Sequence, residues 1–389
     1  MQSVYLDYNS TTPTDPDVVE AMLPYLREQW ANPSSAHNPG NQVRRAIDRA
    51  REQVATLIGA AEPSEIIFTS GATESNNTAI LSAIETLGAH ASVITSPTEH
   101  AAVIGPVQWL EQRGQSVKWI SVDENGRPDL EEVTSALKES PAALASFMWA
   151  NNETGVLSPI EQLAEAAAEA EAMFHTDAVQ MAGKMPLSVK EVPIHMLSFS
   201  AHKLCGPKGV GALYLRKGTR MKPFLRGGHQ ERARRAGTEN VPAIIGFGKA
   251  CEIAQKTMEQ ESSRVECLRN RLEEGILSSC KGAQLHGGGA QRLPNTLNIG
   301  FQQLDGEAIL YMLDDQNVSV STGSACESGS LEASHVLKAM GVERTYVNGA
   351  IRFSLGKYNT DQDVDTVLER LPAIIDRCRS LAPQIKDES

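Results

Sequence analysis

Lys203 closes an apolar run, which is a poor place for a solvated surface charge. It follows HMLSFS (195–200) within SFSAHKLCGPKG (198–209) and precedes a Gly-Pro turn. At a strand's carboxyl end it would stand in the crevice where open α/β sheets take ligands. A desolvated amine there can form a Schiff base with an aldehyde cofactor. The competing use is a lysine in an exposed turn, where most lysines are found. HTDAVQ (175–180) repeats the arrangement with an acid: Asp177 ends another apolar run, and a buried aspartate needs a donor or a cation. A protonated pyridine nitrogen would serve and would become a better electron sink for it; capping the next helix is the other use. TSGATESNNTAI (69–80) follows a third run and opens a helix. Ala72 and Thr73 could thus offer amides and a hydroxyl to a phosphate, or simply start that helix. There is no Walker loop and no G-x-G-x-x-G, since GPKGVG (206–211) has the wrong spacing.

Cysteine occurs six times, at 205, 251, 267, 280, 326 and 378, with no C-x-x-C pair. That scatter reads as reduced thiols rather than a disulfide framework or a zinc site. Cys205, Cys251, Cys267, Cys280 and Cys378 are expected to be small buried packers. Cys326 differs, because STGSACESGS (321–330) is small and polar and gives a side chain little to bury against. An exposed thiol there could approach a bound substrate, and the thiolate is the reactive form.

The elements that must position these groups alternate along the first three-fifths of the chain. GNQVRRAIDRAREQVATLIGA places Val43, Ile47, Ala50, Val54 and Leu57 on one helical face. Strand-like runs follow at 66–69, 92–95, 117–120, 144–149, 173–176, 195–200 and 211–215, with amphipathic helices such as 100–113 and 159–172 between several of them. This is the pattern of an α/β domain with a largely parallel sheet. From about 241 the texture changes to a long helix (241–280), LNIGF, a helix at 305–315, a short strand near 317–320, the strand AIRFSL and a final helix (361–380). We expect a large domain over 15–255 and a smaller α+β domain formed by 1–14 and 256–389.

A chain of 389 residues with 41% apolar and 22% charged residues can bury a sizeable core and divide into two domains. Its net charge of -12 argues against general nucleic-acid binding and against docking on anionic membranes. MQSVYLDYNSTT lacks the basic and apolar regions of a secretory signal, and no apolar stretch is long enough for a membrane span. The expected compartment is the cytoplasm.

Taken together, strand-end Asp177, SAHK-x-x-GPKG (200–209), GTEN (237–240), GSAC (323–326) and IRFSLG (351–356) resemble the cysteine desulfurases of the aminotransferase class V family. The NifS/IscS-like group is the best match, from YLDYNSTTP (5–13) to the last helix. The resemblance implies the fold-type I architecture of pyridoxal-phosphate enzymes and the conversion of L-cysteine to L-alanine, with sulfur left as a persulfide on Cys326. It implies that Lys203 holds pyridoxal 5'-phosphate and shuttles the substrate Cα proton, and that His100 stacks on the ring and assists that transfer. Asp177 would pair with the ring nitrogen, and Gln180 would bond the ring hydroxyl oxygen. Asn152 would lie beside that oxygen and the substrate carboxylate. Thr73, Ser200 and His202 would hold the phosphate, joined by Thr238 of a second copy in a homodimer. Arg352 would clamp the substrate carboxylate, a task that suits a planar guanidinium; its other use is a surface ion pair.

The implied sulfur acceptors are an iron–sulfur scaffold or a sulfur carrier, serving cluster assembly, tRNA thiolation or thiamine-type cofactors. The end SLAPQIKDES is shorter than the tail with which some relatives dock a scaffold, which puts that docking in doubt. The rival readings are a selenocysteine lyase or an aminotransferase of the same fold, a non-catalytic assembly partner, and a sulfur carrier working through cysteine alone.

Overall fold

The computed structural model describes residues 3–140, 142–322 and 333–381. Cys326, for which the sequence gives the nucleophile's role, lies outside the described residues.

In chain order the strands are β1 (Val4–Tyr5), β2 (Ile66–Thr69), β3 (Ser92–Thr95), β4 (Ser116–Trp119), β5 (Ala143–Ser146), β6 (Met173–Asp177), β7 (Met196–Ser200), β8 (Gly211–Leu215), β9 (Ala283–Leu285), β10 (Thr296–Phe301), β11 (Val318–Ser319) and β12 (Ala350–Ser354). The helices are α1 (Pro16–Arg27), α2 (Asn38–Ile58), α3 (Ala72–Leu87), α4 (Ala101–Glu111), α5 (Leu130–Lys138), α6 (Ile160–Glu169), the short α7 (Gln230–Ala233), α8 (Val241–Ser279), α9 (Gly306–Asp314), α10 (His335–Ala339), α11 (Arg344–Val347) and α12 (Asp361–Leu381).

Among the described residues the central sheet has seven strands in the order β2-β8-β7-β6-β5-β3-β4. Its pairs are parallel except those that β8 makes on either side, which are antiparallel. The carboxyl ends of β2, β3, β5, β6 and β7 therefore share one edge. The central strands are buried, as their β-branched and aromatic runs require, because helices cover both faces. The run 144–149 leaves the sheet earlier than the sequence suggests, at Ser146. Phe147 and Trp149 still donate to the carbonyls of His175 and Asp177, so an apolar, hydrogen-bonded segment continues beyond the regular strand.

Val43, Ile47, Ala50, Val54 and Leu57 of α2 are all buried, in the core to which the first half of α8 contributes. A second core forms around the antiparallel sheet β12-β10-β9 and includes Val4 and Leu6. α8 serves both: Ala254 packs in the first core and Val265 in the second. Two cysteines depart from the expected burial, Cys205 in part and Cys267 fully. Cys267 is exposed, because Val265, Leu268 and Leu272 form the inward stripe of α8 and the helical period turns position 267 outward. Cys251, Cys280 and Cys378 are buried, and Cys205 is half-buried.

Candidate active site

The shared strand edge gathers the residues that the sequence singled out. Asp177 is the last residue of β6, and Lys203 ends a single 3-10 turn (Ala201–Lys203) that follows β7 directly. His100 follows β3 and caps α4, while Ala72 and Thr73 open α3 after β2. This is where an open α/β sheet leaves a crevice for ligands.

Lys203 is not a surface charge. Its Nζ donates to two main-chain carbonyls, Asn9 O at 2.5 Å and Ser10 O at 2.7 Å. Both belong to the N-terminal segment, so a stretch nearly two hundred residues away anchors the amine. Asp177 is also buried. Its Oδ2 accepts from Asn76 Nδ2 at 2.7 Å and its Oδ1 from the Val179 amide at 2.9 Å. Asp177 thus caps the turn that follows, and among the described residues no lysine or arginine forms an ion pair with it. A buried carboxylate with only neutral donors has room for a cation, and a protonated ring nitrogen is of that kind.

His100 accepts from the Ala102 amide through Nδ1 at 3.1 Å. Nδ1 is thus the unprotonated nitrogen, which leaves Nε2 to carry the proton of the neutral ring. Burial lowers its pKa below the ordinary 6.5, while Asp177 acts in the opposite sense. His202 bonds Thr11 Oγ1 through Nδ1 at 3.1 Å. Burial, then Lys203 and Lys208, push its pKa down to about 4, so it is neutral at pH 7.

The start of α3 suits an anion. The first amides of any helix lack intrahelical acceptors, and here Gly71 caps without a side chain. No atom lies within 4 Å of where a Cβ of Gly71 would stand. Gly211 accounts for the close approach of β8 on the other side: a Cβ there would fall 2.7 Å from Gly71 C and 2.8 Å from Phe199 O. Ser200, paired with Gly211 across β7 and β8, is buried beside this turn. Thr238 is exposed, in a cleft shared with Thr69, Ser70 and Gly209, and makes no described hydrogen bond to Thr73, Ser200 or His202.

Arg352 comes from the second sheet and is only 1% exposed, so it is no surface ion pair. One terminal nitrogen donates to Asp7 Oδ1 at 2.8 Å and Ser10 Oγ at 2.7 Å; the other donates to Asn152 O at 3.1 Å. Its Nε has no partner among the described residues. Asn152 is buried and enters this network through its main-chain carbonyl, which also accepts from Asn9 Nδ2. Gln180 donates to Asn9 O at 3.1 Å, the carbonyl that also holds Lys203.

Asn9 is therefore the hub that the sequence reading missed. It touches Lys203, Gln180, Lys184, Asn152, Asn295 and Thr296. YLDYNSTTP is legible as a motif, but nothing in it says which distant residues Asn9 meets. Asn76 and Glu99 were missed for the same reason. Glu99 is fully buried, accepts from the Met148 amide, and has its pKa raised to about 8, chiefly by burial and in part by Asp177.

Among the described residues no group of three or more His, Cys, Asp or Glu could hold a metal ion. None of their helices is long and apolar enough to cross a membrane.

The family model for aminotransferase class-V matches residues 4–367. A cysteine desulfurase of Gluconacetobacter diazotrophicus is 52% identical over 384 residues, covering 98% of this chain and 96% of that one. The cysteine desulfurase NifS of Azotobacter vinelandii is 51% identical over 383 residues, covering 98% and 95%. A solved structure of a NifS-like protein superimposes with a TM-score of 0.90 at 39% identity, over 97% of this chain and all 100% of that one. A structure of SspA in complex with cysteine gives a TM-score of 0.80 at 34% identity, over 92% and 100%.

Proposed function

The chain belongs to the aminotransferase class-V family and is a cysteine desulfurase, and from that premise we propose that Lys203 holds pyridoxal phosphate and Cys326 receives the substrate's sulfur. The observation that carries the cofactor assignment is a half-buried amine, Lys203, at the same sheet edge as a buried carboxylate, Asp177, that meets only neutral donors among the described residues. The donor set fits the group at each end. Asp177 suits the protonated ring nitrogen, Gln180 the ring oxygen, and the open amides of α3 with Thr73, Ser200 and His202 the phosphate. When bound, the cofactor supplies an electron sink for charge that develops at the substrate Cα.

The chain's own residues would do the rest. Arg352 binds the substrate carboxylate, with Asn152 fixing the guanidinium from behind. Lys203, released from the Asn9 and Ser10 carbonyls, carries the Cα proton. His100, neutral with its proton on Nε2, would stack on the ring and pass a proton. The Cys326 thiolate attacks the substrate sulfur: the S–S bond forms, the Cβ–S bond breaks, and its electron pair stays with carbon, which takes up a proton to become alanine. One thiol and one cysteine thus give one persulfide and one alanine, with no outside oxidant.

Three finer assignments belong to the same proposal. The two cores that meet along α8 support a large domain over 15–255 and a small one over 1–14 and 256–389. Thr238, exposed in one chain, would reach the phosphate of a second copy, which makes the working unit a homodimer. The persulfide would pass to a scaffold or carrier protein in the cytoplasm. SspA carries cysteine in its solved complex, which favours cysteine here over an aminotransferase's amino acids. The test is the visible absorption of the purified protein and alanine release from L-cysteine, for wild type and Lys203→Ala. A band and alanine in wild type, both lost in the variant, support the reading. An unchanged variant would overturn it. Faster turnover of selenocysteine, independent of Cys326, would favour the lyase.

A further inference from the structure

Lys184 has been given no part in the chemistry, yet its amine is enclosed beside the site. It follows Gly183 in the turns after β6, four residues after Gln180, and its Nζ donates to Gln180 Oε1 at 2.7 Å and to Asn9 Oδ1 at 3.1 Å. Neither acceptor is a carboxylate, so this is no ion pair. The charged and titratable groups around it are Lys203, Arg352 and Cys205; burial first, then the two cations, lower its pKa well below 10.5, and Cys205 opposes them.

A primary amine in this position constrains an amide. Gln180 offers an oxygen at one end and an NH2 at the other. With Oε1 on Lys184, Nε2 donates to Asn9 O, the carbonyl that also accepts from Lys203. Turned over, Gln180 would set its NH2 against the Lys184 donor and its oxygen against the Asn9 oxygen, and both bonds would be lost. Even as a neutral amine Lys184 keeps two N–H donors, one for each of its oxygens. The same contact holds Asn9, whose Oδ1 takes Lys184 and Asn295 while its Nδ2 serves Asn152 O and Thr296 Oγ1.

We propose that Lys184 is a positioning residue that fixes the Gln180 amide, so that a donor rather than an acceptor faces the site beside Lys203. This rests on the assignment of Gln180 to the cofactor's ring oxygen. A fixed N–H there favours the ionised oxygen, whereas a free amide could present its carbonyl and disfavour it.

The readout is the pH midpoint of the cofactor's visible band in the substrate-free holoenzyme. The variants are Gln180→Ala, Lys184→Met, Lys184→Gln and the double Gln180→Ala/Lys184→Met. Gln180→Ala is expected to raise the midpoint by about one pH unit, a roughly tenfold change in proton affinity. Lys184→Met should raise it comparably, and the double variant no further than Gln180→Ala alone. Lys184→Gln, which keeps a donor but not the charge, should stay close to wild type. Three results would overturn the proposal: a Met variant with an unmoved midpoint, a double variant in which the two shifts add, or a Gln variant shifted as far as the Met variant. If the Met variant does not fold, the Gln variant decides, and a midpoint displaced as far as that of Gln180→Ala overturns the idea. A wild-type protein that shows no band at all would instead sink the cofactor assignment, and this inference with it.

Discussion

Arg352 of β12 pairs with Asp7, which runs beside the same strand through its bridge to Ser354, with a terminal guanidinium nitrogen 2.8 Å from Asp7 Oδ1. The arginine is 1% exposed and the aspartate side chain 20%, so the pair is shielded on one side and open on the other. A substrate carboxylate that approaches this guanidinium meets a carboxylate already in place. Asp7→Asn removes that competitor and should lower the KM for L-cysteine several-fold, with kcat little changed. A raised KM would mean that Asp7 holds the arginine in register rather than competing for it.

Arg352→Lys tests the clamp itself. Lysine keeps the charge but cannot span the Asp7, Ser10 and Asn152 oxygens as a planar fork does. We expect KM to rise about 10- to 100-fold, the loss of one or two charge-assisted hydrogen bonds, while the cofactor band persists. An unchanged KM would move the carboxylate site elsewhere.

Asp177→Asn keeps the shape and one of the two acceptors that serve Asn76 and Val179, but removes the negative charge. Loss of a preorganised electrostatic partner costs on the order of 10²–10³ in kcat, and that is the expected fall, with cofactor still bound. Full activity in this variant would leave Asp177 with only its capping role.

Glu99 and His175 predict opposite pH dependence of stability. Glu99 has a pKa of about 8 against an ordinary 4.5, so the folded state keeps a proton that the unfolded chain gives up. Its contribution is complete below pH 4.5 and is lost as pH rises through about 8. His175, held between Ser146 and Ser198, is pushed by burial down to about 3 from 6.5. Its contribution is present above pH 6.5 and is lost as pH falls toward about 3. Thermal melts should therefore show Glu99→Gln gaining on wild type between pH 5 and pH 8. Parallel melting curves for the two proteins across that range would contradict the raised pKa.

The strand-end residues were legible because their signal is local. An apolar run followed by Asp177 or by Lys203 states in sequence that a polar group stands at the end of a buried strand, and parallel topology then gathers such ends on one edge. Arg352 was legible only through its motif, since a strand arginine alone reads as a surface charge. Asn9, Asn76, Glu99 and Lys184 were silent because their roles are made by partners far along the chain. The Lys203–Asn9 bond, for example, spans 194 positions. Cys267 was misread by type: the usual burial of cysteine gave way to the phase of α8, which only the neighbours Val265 and Leu268 reveal.

The central claim is that the sulfur of L-cysteine moves to Cys326 at a site built around Lys203. The most direct measurement is alanine formation from L-cysteine, with pyridoxal phosphate and a thiol reductant, for wild type and Cys326→Ala. Alanine is expected from wild type and almost none from the variant, with the cofactor band retained in both. Comparable alanine from the two proteins would contradict it.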